Sequence, residues 1–337
     1  MGSMNILVTG GCGFIGSNFV RYMLSKHPYN IINLDKLTYA GNLENLKEAE
    51  SDKRYAFIKG DIASEADLKK VFKAGIDFVV NFAAESHVDR SILDPDAFIK
   101  TNITGTFNLL EMAKKNDVKK FIQISTDEVY GSLGLSGKFR ENTPLAPNSP
   151  YSASKASADM LAMSYFKTFK MPVMITRCSN NYGPYQFPEK LIPLIVTNAL
   201  ENIDLPVYGD GMNVRDWIYV LDHCEAIDMV LHKGTVGNVY NIGGENEKSN
   251  IEIVRLILDI LGKPHSLIKY VKDRPGHDRR YAINQTKIKR ELGFRIHTGF
   301  EKGMEETVRW YIENRAWWER IKSGAYLKYY DMMYKNR

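Results

Sequence analysis

The sequence predicts an α/β protein in which a doubly wound parallel sheet is followed by a smaller mixed α/β lobe. Short apolar segments alternate with helical ones over the first half of the chain. The first apolar segment also runs directly into a glycine-rich turn. Strands that alternate with helices form parallel sheets with helices on both faces. The alternation breaks down after about residue 183, and this change predicts the second lobe.

Six apolar segments in the first half predict the strands of the sheet. They cover residues 5–9, 31–35, 56–59, 78–82, 121–125 and 173–176, and the predicted helices cover 14–26, 64–73, 96–116 and 152–170. We assign residues 4–182 to this first domain and residues 183–337 to the second lobe, with some segments interleaved. Ligands of such sheets bind beyond the carboxyl ends of the strands, so functional residues are expected there.

The second lobe mixes helical and extended segments. Helices are expected over 188–200 and 220–232, and an extended segment over 205–208. Ser249 and Glu252 form a capping box that predicts a helix to residue 261. One long final helix is expected over 300–320, where three of the four tryptophans lie.

Composition excludes several classes of function. The net charge of +5 over 337 residues comes from scattered basic residues, so no nucleic-acid partner is expected. The three cysteines have neither a close pair nor metal-ligand spacing, which indicates buried thiols in a reducing compartment and no metal site. No apolar run is long enough to span a bilayer, and no membrane partner is expected. We expect a cytoplasmic protein.

The turn after the first strand carries a dinucleotide-binding pattern. Gly10, Gly13 and Gly16 lie three residues apart, between a strand and the start of a helix. Glycines here permit a tight turn and let the backbone approach a pyrophosphate, which the helix N-terminus attracts. Asp35 ends the second strand, where a carboxylate accepts hydrogen bonds from the adenosine ribose and repels a 2′-phosphate. The pattern predicts a Rossmann-type NAD site, with the adjacent Lys36 as the one feature that favours NADP.

Other strand ends supply further cofactor contacts. Asp61 and Ile62 follow the third strand, near the expected position of the adenine. Ala83 and Ala84 follow the fourth strand and are small enough to let the cofactor pass. The predicted cofactor residues are therefore Gly10, Gly13, Phe14, Ile15, Gly16, Asp35, Lys36, Asp61, Ile62, Ala83 and Ala84, together with Tyr151, Lys155 and Asn181, which are discussed below.

A tyrosine and a lysine on one predicted helix suggest alcohol oxidation. Tyr151 and Lys155 are one helical turn apart, so both side chains lie on the same face. Hydride transfer from an alcohol requires a base for the hydroxyl proton, and a nearby lysine cation is expected to lower the pKa of the tyrosine. Lys155 is also placed to bind the nicotinamide ribose. Thr126 is a natural third member of the site, as a donor to the substrate hydroxyl.

Two adjacent carboxyl groups add a second kind of chemistry. Asp127 and Glu128 follow the fifth predicted strand directly. Loss of water from a sugar requires a proton donor and a proton acceptor in the same site, and neighbouring carboxyl groups in different environments can divide these tasks. The sequence therefore predicts elimination after oxidation, with the cofactor used internally.

Together these motifs resemble the extended short-chain dehydrogenase/reductase family. Segments 83–89, 125–131, 178–184 and 274–278 narrow the resemblance to its dTDP-glucose 4,6-dehydratases, over nearly the whole chain. The resemblance implies a hydro-lyase of the dTDP-rhamnose pathway. In it, Tyr151 removes the proton from the 4-hydroxyl while hydride passes to NAD. Glu128 then removes the C5 proton, Asp127 protonates the departing 6-hydroxyl, and hydride returns to C6.

The same resemblance implies a set of substrate contacts. Cationic side chains suit a diphosphate, and Arg215 and Arg274 are the best candidates on chemical grounds. The resemblance places Asn181 at the nicotinamide end of the cofactor. It implies that the substrate residues are Ser86, His87, Thr126, Asn180, Lys190, Leu191, Pro206, Tyr208, Arg215, Asn250, Arg274 and His277. It also implies a homodimer, in which the helices near 96–116 and 152–170 of two copies form a four-helix bundle.

Two alternative functions stay open from the sequence. The first is a dehydratase or epimerase that acts on another nucleotide-diphospho-sugar, such as a UDP- or CDP-linked one, because the base pocket comes from loops that sequence reads poorly. The second is a catalytically idle dinucleotide-binding sensor. The presence of Asp127, Glu128, Tyr151 and Lys155 together disfavours the sensor, which has no need of all four.

Overall fold

The computed structural model describes residues 4–273, 276–323 and 325–334. Its strands are β1 (Asn5–Thr9), β2 (Asn30–Asp35), β3 (Tyr55–Lys59), β4 (Phe78–Asn81), β5 (Lys120–Thr126), β6 (Val173–Cys178), β7 (Asn180–Tyr182), β8 (Leu205–Tyr208), β9 (Val214–Tyr219), β10 (Val239–Ile242), β11 (Glu247–Ser249) and β12 (Ile268–Val271). Its α-helices are α1 (Phe14–Lys26), α2 (Glu65–Phe72), α3 (Val88–Leu93), α4 (Pro95–Phe98), α5 (Thr106–Lys115), α6 (Pro150–Phe169), α7 (Leu191–Leu200), α8 (Val220–Lys233), α9 (Asn250–Leu261), α10 (Thr286–Leu292), α11 (Phe300–Glu313), α12 (Arg315–Ile321) and α13 (Ala325–Tyr334). Short 3₁₀ helices cover Leu43–Ser51, Asp127–Tyr130 and His265–Leu267, and a π-helical stretch, Ile99–Gly105, joins α4 to α5.

Seven parallel strands form the main sheet, in the order β10-β6-β5-β4-β1-β2-β3. The predicted doubly wound α/β fold is confirmed. Chain order reverses between β1 and β4, and this reversal opens a crevice at the carboxyl ends of the two strands. The seventh strand, β10, was not predicted. It has four residues, and it joins the edge of the sheet by pairing with β6, which is distant in sequence.

Both faces of the sheet are covered away from the edge strand β3, which explains why the inner strands are mostly apolar. Along β1, Ile6 and Val8 pack on the face that α1 and α8 cover, whereas Leu7 packs on the opposite face with α2, α5 and α6. Successive side chains of a strand point to opposite faces, so each residue of such a strand is buried. Helices on both sides therefore hold the carboxyl ends of the strands in fixed positions.

The second lobe is built around a separate apolar core. Its sheet has the order β11-β9-β7, with β9 antiparallel to β11 and parallel to β7, and β8 pairs with β12. Helices α7, α9 and α11 pack over these strands around Trp217, Ile253 and Tyr311. The predicted capping box starts α9, where the Ser249 side chain accepts from the Glu252 N–H. The division at residue 182 stays a prediction, and β10 of the main sheet comes from beyond it.

The prediction of one long final helix over 300–320 is wrong. Asn314 leaves helical geometry at φ −109° and ψ 40°, and its side-chain amide donates to the Trp310 carbonyl, which ends α11. The chain then turns into α12, and the Trp317 indole N–H donates to Asn45 of the first half of the chain at 2.9 Å. A further helix, α13, follows. Among the described residues, no helix combines the length and the hydropathy that a transmembrane span requires.

Candidate active site

One cavity lies at the carboxyl ends of β1, β2, β4, β5 and β6. Every residue predicted to contact the cofactor lines it, and so does every residue predicted to be catalytic. These residues come from strand-end turns that are far apart in sequence but adjacent in the sheet. Whether each of them contacts a ligand stays a prediction, but the geometry brings all of them together.

Close backbone contacts explain the glycines of the first turn. Gly10 has φ +70°, and a Cβ atom there would lie 2.7 Å from the Ala83 nitrogen. A Cβ atom at Gly16 would lie 2.3 Å from the Gly10 carbonyl oxygen. Gly13 precedes α1, and no side chain caps the N–H groups of the first turn of this helix. These donors, next to the cavity and at the positive end of the helix dipole, fit a pyrophosphate.

The carboxylate at the end of β2 is held in a fixed orientation. One oxygen of Asp35 accepts from the Cys12 N–H at 2.8 Å, and the other accepts from the Leu37 N–H at 2.8 Å. Burial raises the pKa of Asp35, and these two hydrogen bonds oppose that shift. Lys36 forms an ion pair with Asp61 at 2.8 Å, which partly neutralises the one cation that favoured NADP. The arrangement fits the ribose of NAD.

The geometry of the redox pair differs from the prediction in one respect. Tyr151 and Lys155 lie on one face of α6, and the Lys155 Nζ donates to the Ile124 carbonyl at 2.6 Å. The expected lowering of the Tyr151 pKa is wrong for the protein alone. Burial raises this pKa well above its usual range, Glu128 adds to the shift, and a hydrogen bond with Thr126 opposes it. Burial also lowers the pKa of Lys155.

Asp127 has the environment of a neutral acid. The residue is 1% exposed, and burial, followed by the nearby Glu128, raises its pKa well above the usual range. Its Oδ2 atom has no hydrogen-bond partner among the described residues. Glu128 is half-buried, and both carboxyl groups line the cavity. A protonated carboxyl group with one unpaired oxygen, beside a second and more exposed carboxyl group, can donate a proton to a bound sugar.

Some of the predicted substrate residues share the cavity with the catalytic ones. Ser86, Thr126, Asn180 and Lys190 all line it. The Lys190 Nζ donates to the Ser86 carbonyl at 2.8 Å, so these two residues are in contact. The substrate roles of the four residues stay predictions.

The remaining predicted substrate residues do not line this cavity; they are His87, Leu191, Pro206, Tyr208, Arg215, Asn250 and His277. Arg215 is 6% exposed, donates to the Asp278 carbonyl at 2.9 Å and stacks on the Tyr281 ring at 4.4 Å. His277 pairs with Asp273 at 2.6 Å, and its ring lies against that of Tyr208. Their substrate roles stay predictions, and Arg274 lies outside the described residues.

Several cavity residues were missed by the sequence reasoning, namely Glu85, Thr101, Cys178, Ser179, Gln186, Phe187 and Glu189. Cys178 and Ser179 stand beside the predicted Asn180 and Asn181, so their place at a strand end was a usable signal. Thr101 lies in the π-helical stretch, where no local pattern marks it. Asn181 lines the cavity, and a residue outside the cavity fixes its side chain: the Asn181 Oδ1 lies 2.8 Å from Nδ1 of the buried His223.

One group of possible metal ligands occurs among the described residues, away from the cavity. It comprises His27, Asp228 and His232. The two imidazole rings are stacked, with centroids 4.7 Å apart and planes at 22°. Hydrogen bonds among these residues and Tyr29 account for the arrangement without a metal ion. Both rings instead pair with the Asp228 carboxylate, at 3.0 and 2.7 Å.

Comparison with known proteins agrees with this geometry. The family model described as GDP-mannose 4,6 dehydratase matches residues 7–307. The dTDP-glucose 4,6-dehydratase of Bacillus anthracis, crystallised with NAD, is 58% identical with a TM-score of 0.89, over 95% of this chain and 100% of that one. The dTDP-glucose 4,6-dehydratase of Streptomyces venezuelae, also solved with NAD, is 51% identical with a TM-score of 0.93, over 95% and 100% of the two chains.

Sequence comparison gives the same result without reference to structure. The dTDP-glucose 4,6-dehydratase of Xanthomonas campestris pv. campestris (strain B100) is 52% identical over 339 residues, which cover 95% of this chain and 96% of the relative. The matched region therefore includes residues of both lobes. The chain therefore belongs to the dTDP-glucose 4,6-dehydratase family.

Proposed function

We propose that this protein catalyses the NAD-dependent dehydration of dTDP-glucose to dTDP-4-keto-6-deoxyglucose, a hydro-lyase reaction of deoxysugar biosynthesis. The observation that carries the proposal is the buried Asp127 beside Glu128, in the same cavity as Tyr151 and Lys155, since burial raises the pKa of Asp127 and favours its acid form. An enzyme that only oxidises a sugar, or inverts C4 by way of the ketone, has no use for an added proton donor and acceptor. The names of the relatives supply the nucleotide, which these residues alone do not specify.

The first half of the reaction uses the redox pair. The glycine turn, Asp35, Ala83, Ala84 and Lys155 hold the cofactor, and Tyr151 takes the proton of the 4-hydroxyl. Thr126 holds that hydroxyl group in place. When bound, NAD accepts hydride from C4 and later returns it to C6, and its positively charged nicotinamide ring favours the phenolate form of Tyr151. This charge compensates for the upward pKa shift that burial causes.

The second half uses the carboxyl pair. A ketone at C4 makes the C5 proton acidic, and Glu128 accepts it. Asp127 donates a proton to the 6-hydroxyl, which leaves as water, and Glu128 returns its proton to C5 when hydride adds to C6. Burial raises the pKa of Asp127 and so favours the acid form that this role requires, whereas an ordinary aspartate is ionised at neutral pH. The two residues are neighbours in the chain, so proton donor and proton acceptor are fixed relative to each other.

Incubation with dTDP-glucose tests this function directly. A 4-keto sugar gives a characteristic absorbance after addition of alkali, and UDP-glucose and CDP-glucose serve as matched substrates. The Glu128→Gln variant should reduce its cofactor with dTDP-glucose and form no product. Normal turnover by that variant, or product from UDP-glucose or CDP-glucose but none from dTDP-glucose, would contradict the assignment. Binding of NAD with no reaction on any of the three sugars would favour the sensor.

We also propose that the protein is a homodimer. Large apolar side chains of the helices from α3 to α6 are exposed, among them Leu93 at 58%, Ile99 at 53% and Met160 at 58%. A second copy that packs the same helices against these would bury them, as in the predicted four-helix bundle. Leu93→Glu should produce a monomer in sedimentation equilibrium, and an unchanged dimer would contradict this interface. The three buried free cysteines support a reducing, cytoplasmic location.

A further inference from the structure

A buried ion pair lies directly behind the redox pair. Asp159 follows Lys155 by one turn of α6, and its Oδ2 accepts a hydrogen bond from the Arg177 Nε of β6 at 2.8 Å. Asp159 is 1% exposed and Arg177 is 5% exposed, and neither residue lines the cavity. Burying two charges costs hydration free energy that their attraction often fails to offset. Stabilisation of the fold alone is therefore a weak explanation for this pair.

The position of Asp159 relates it to the catalytic lysine. Tyr151, Lys155 and Asp159 are spaced by four residues on one helix, so they share a buried face. Burial disfavours the charged form of Lys155 by lowering its pKa, and Asp159 is foremost among the groups that raise it again. The Lys155 ammonium also donates to the Ile124 carbonyl. The carbonyl therefore holds the ammonium in place, and the carboxylate, one helical turn away, favours its charged form.

The charges of this cluster do not cancel. Lys155 and Arg177 are both cations, and Asp159 is the carboxylate between them, so one positive charge is left over. An unmatched buried charge is costly. A phenolate at Tyr151, on the same helix face, would be attracted to this charge. The excess positive charge therefore works against the upward shift that burial and Glu128 give the Tyr151 pKa.

Arg177 is in turn anchored on its far side. Its Nη1 donates to the Tyr130 hydroxyl at 2.9 Å, and that hydroxyl donates to Oδ1 of Asn241 on β10 at 2.8 Å. Tyr130 ends the 3₁₀ helix that carries Asp127 and Glu128. The ion pair thus connects the redox half of the site to the element that bears the carboxyl pair.

We propose that Asp159, held by Arg177, is a positioning residue for Lys155 in the oxidation of the 4-hydroxyl. Asp159 acts through Lys155 and does not touch the substrate. This inference rests on the proposed dehydratase function, and the reaction of the wild-type protein with dTDP-glucose tests that function separately. Absence of the 4-keto sugar in that reaction would overturn the function and this inference together.

The Asp159→Asn variant removes the charge but keeps the size of the side chain and an oxygen that accepts from Arg177. We expect formation of reduced NAD in a single turnover to slow by about 10- to 100-fold, with the KM for dTDP-glucose within about twofold of wild type. Binding of NAD, measured by fluorescence in the absence of substrate, should not change. Asp228→Asn is the matched control, because it removes a carboxylate from another ion-paired cluster that lies outside the cavity. It should leave the oxidation rate unchanged.

A double variant separates positioning from a purely structural role. Arg177→Gln alone leaves Asp159 without its partner and should lower the melting temperature. Asp159→Asn combined with Arg177→Gln leaves two neutral groups, so the melting temperature should recover relative to Arg177→Gln while the oxidation step stays slow. Recovery of both the melting temperature and the oxidation rate in the double variant would overturn the inference. Oxidation at the wild-type rate by Asp159→Asn would also overturn it.

Discussion

Replacement of Asp127 by asparagine should separate the two halves of the reaction. Asparagine has nearly the same shape, so it keeps the 3₁₀ helix and the contact with Thr126. It cannot act as an acid, however. Because the proposed mechanism uses Asp127 in the elimination step and not in the oxidation step, reduced NAD should form at close to the wild-type rate and then persist.

The size of the effect follows from the surroundings of this residue. General acid catalysis contributes about 10²- to 10⁴-fold, which is about 3–5.5 kcal/mol of barrier. We expect a loss in this range because Asp127 is the proposed general acid. Of the other carboxyl groups that line the cavity, Glu128 is the proposed base and Glu189 is paired with Arg90 at 3.0 Å. Asp61 is paired with Lys36, and Asp35 and Glu85 follow other strands.

Stopped-flow absorbance of reduced NAD and the alkali assay of the 4-keto product measure the two halves separately. Asp228→Asn again controls for the loss of a carboxylate elsewhere. A substrate with fluorine in place of the 6-hydroxyl makes the test sharper, since fluoride leaves with little help from an acid. The defect of Asp127→Asn should therefore shrink markedly with this substrate.

Three results would contradict the role proposed for Asp127. One is product formation by Asp127→Asn at close to the wild-type rate. Another is a failure to form reduced NAD although the variant binds NAD normally, which would place Asp127 in the oxidation step. An equal defect with the hydroxyl and the fluoro substrate would show that Asp127 does not protonate the leaving group.

Three further predictions concern the cofactor and stability. Gly16→Ala should weaken NAD binding at least about tenfold and lower the free energy of unfolding by about 1–3 kcal/mol, because its Cβ would lie 2.3 Å from the Gly10 carbonyl oxygen. Calorimetry measures the affinity for NAD, and urea unfolding measures the stability. An affinity equal to that of the wild type would contradict the close packing. Asp35→Asn should narrow the preference for NAD over NADP, seen as a smaller ratio of their Kd values, and an unchanged ratio would contradict its role. Burial raises the pKa of Asp216 from 3.8 to about 6, so the folded protein holds this proton more tightly than the unfolded chain does. The contribution of Asp216 to the free energy of unfolding is then complete below about pH 4 and falls by about 3 kcal/mol as the pH rises to about 6. In urea unfolding, the Asp216→Asn variant should not show this dependence of the unfolding free energy on pH. The same dependence in both proteins would contradict the pKa shift.

Sequence predicted those parts of the structure that follow from local patterns. The inner strands of the main sheet are mostly apolar because both of their faces are buried, so they can be recognised from the sequence alone. The glycine turn and Asp35 are recognisable because their spacing is set by a single strand-turn-helix unit. Tyr151 and Lys155 share a helix face by periodicity alone. The polar residues at strand ends could be assigned to one cavity, since the carboxyl ends of parallel strands meet at one edge.

Tertiary structure alone decided features that depend on distant partners. The four residues of β10 become a strand by pairing with β6, and α11 ends at Asn314 where the chain turns to bring Trp317 against Asn45. The pKa of Tyr151 rises because of burial and Glu128, neither of which can be read from a Tyr-x-x-x-Lys spacing. Arg177 reaches Asp159 only because β6 lies beneath α6. The sequence by itself thus determined which chemical groups this protein brings to one cavity, whereas the packing around them determined their charges and orientations, because these depend on burial and on neighbours far away in the chain.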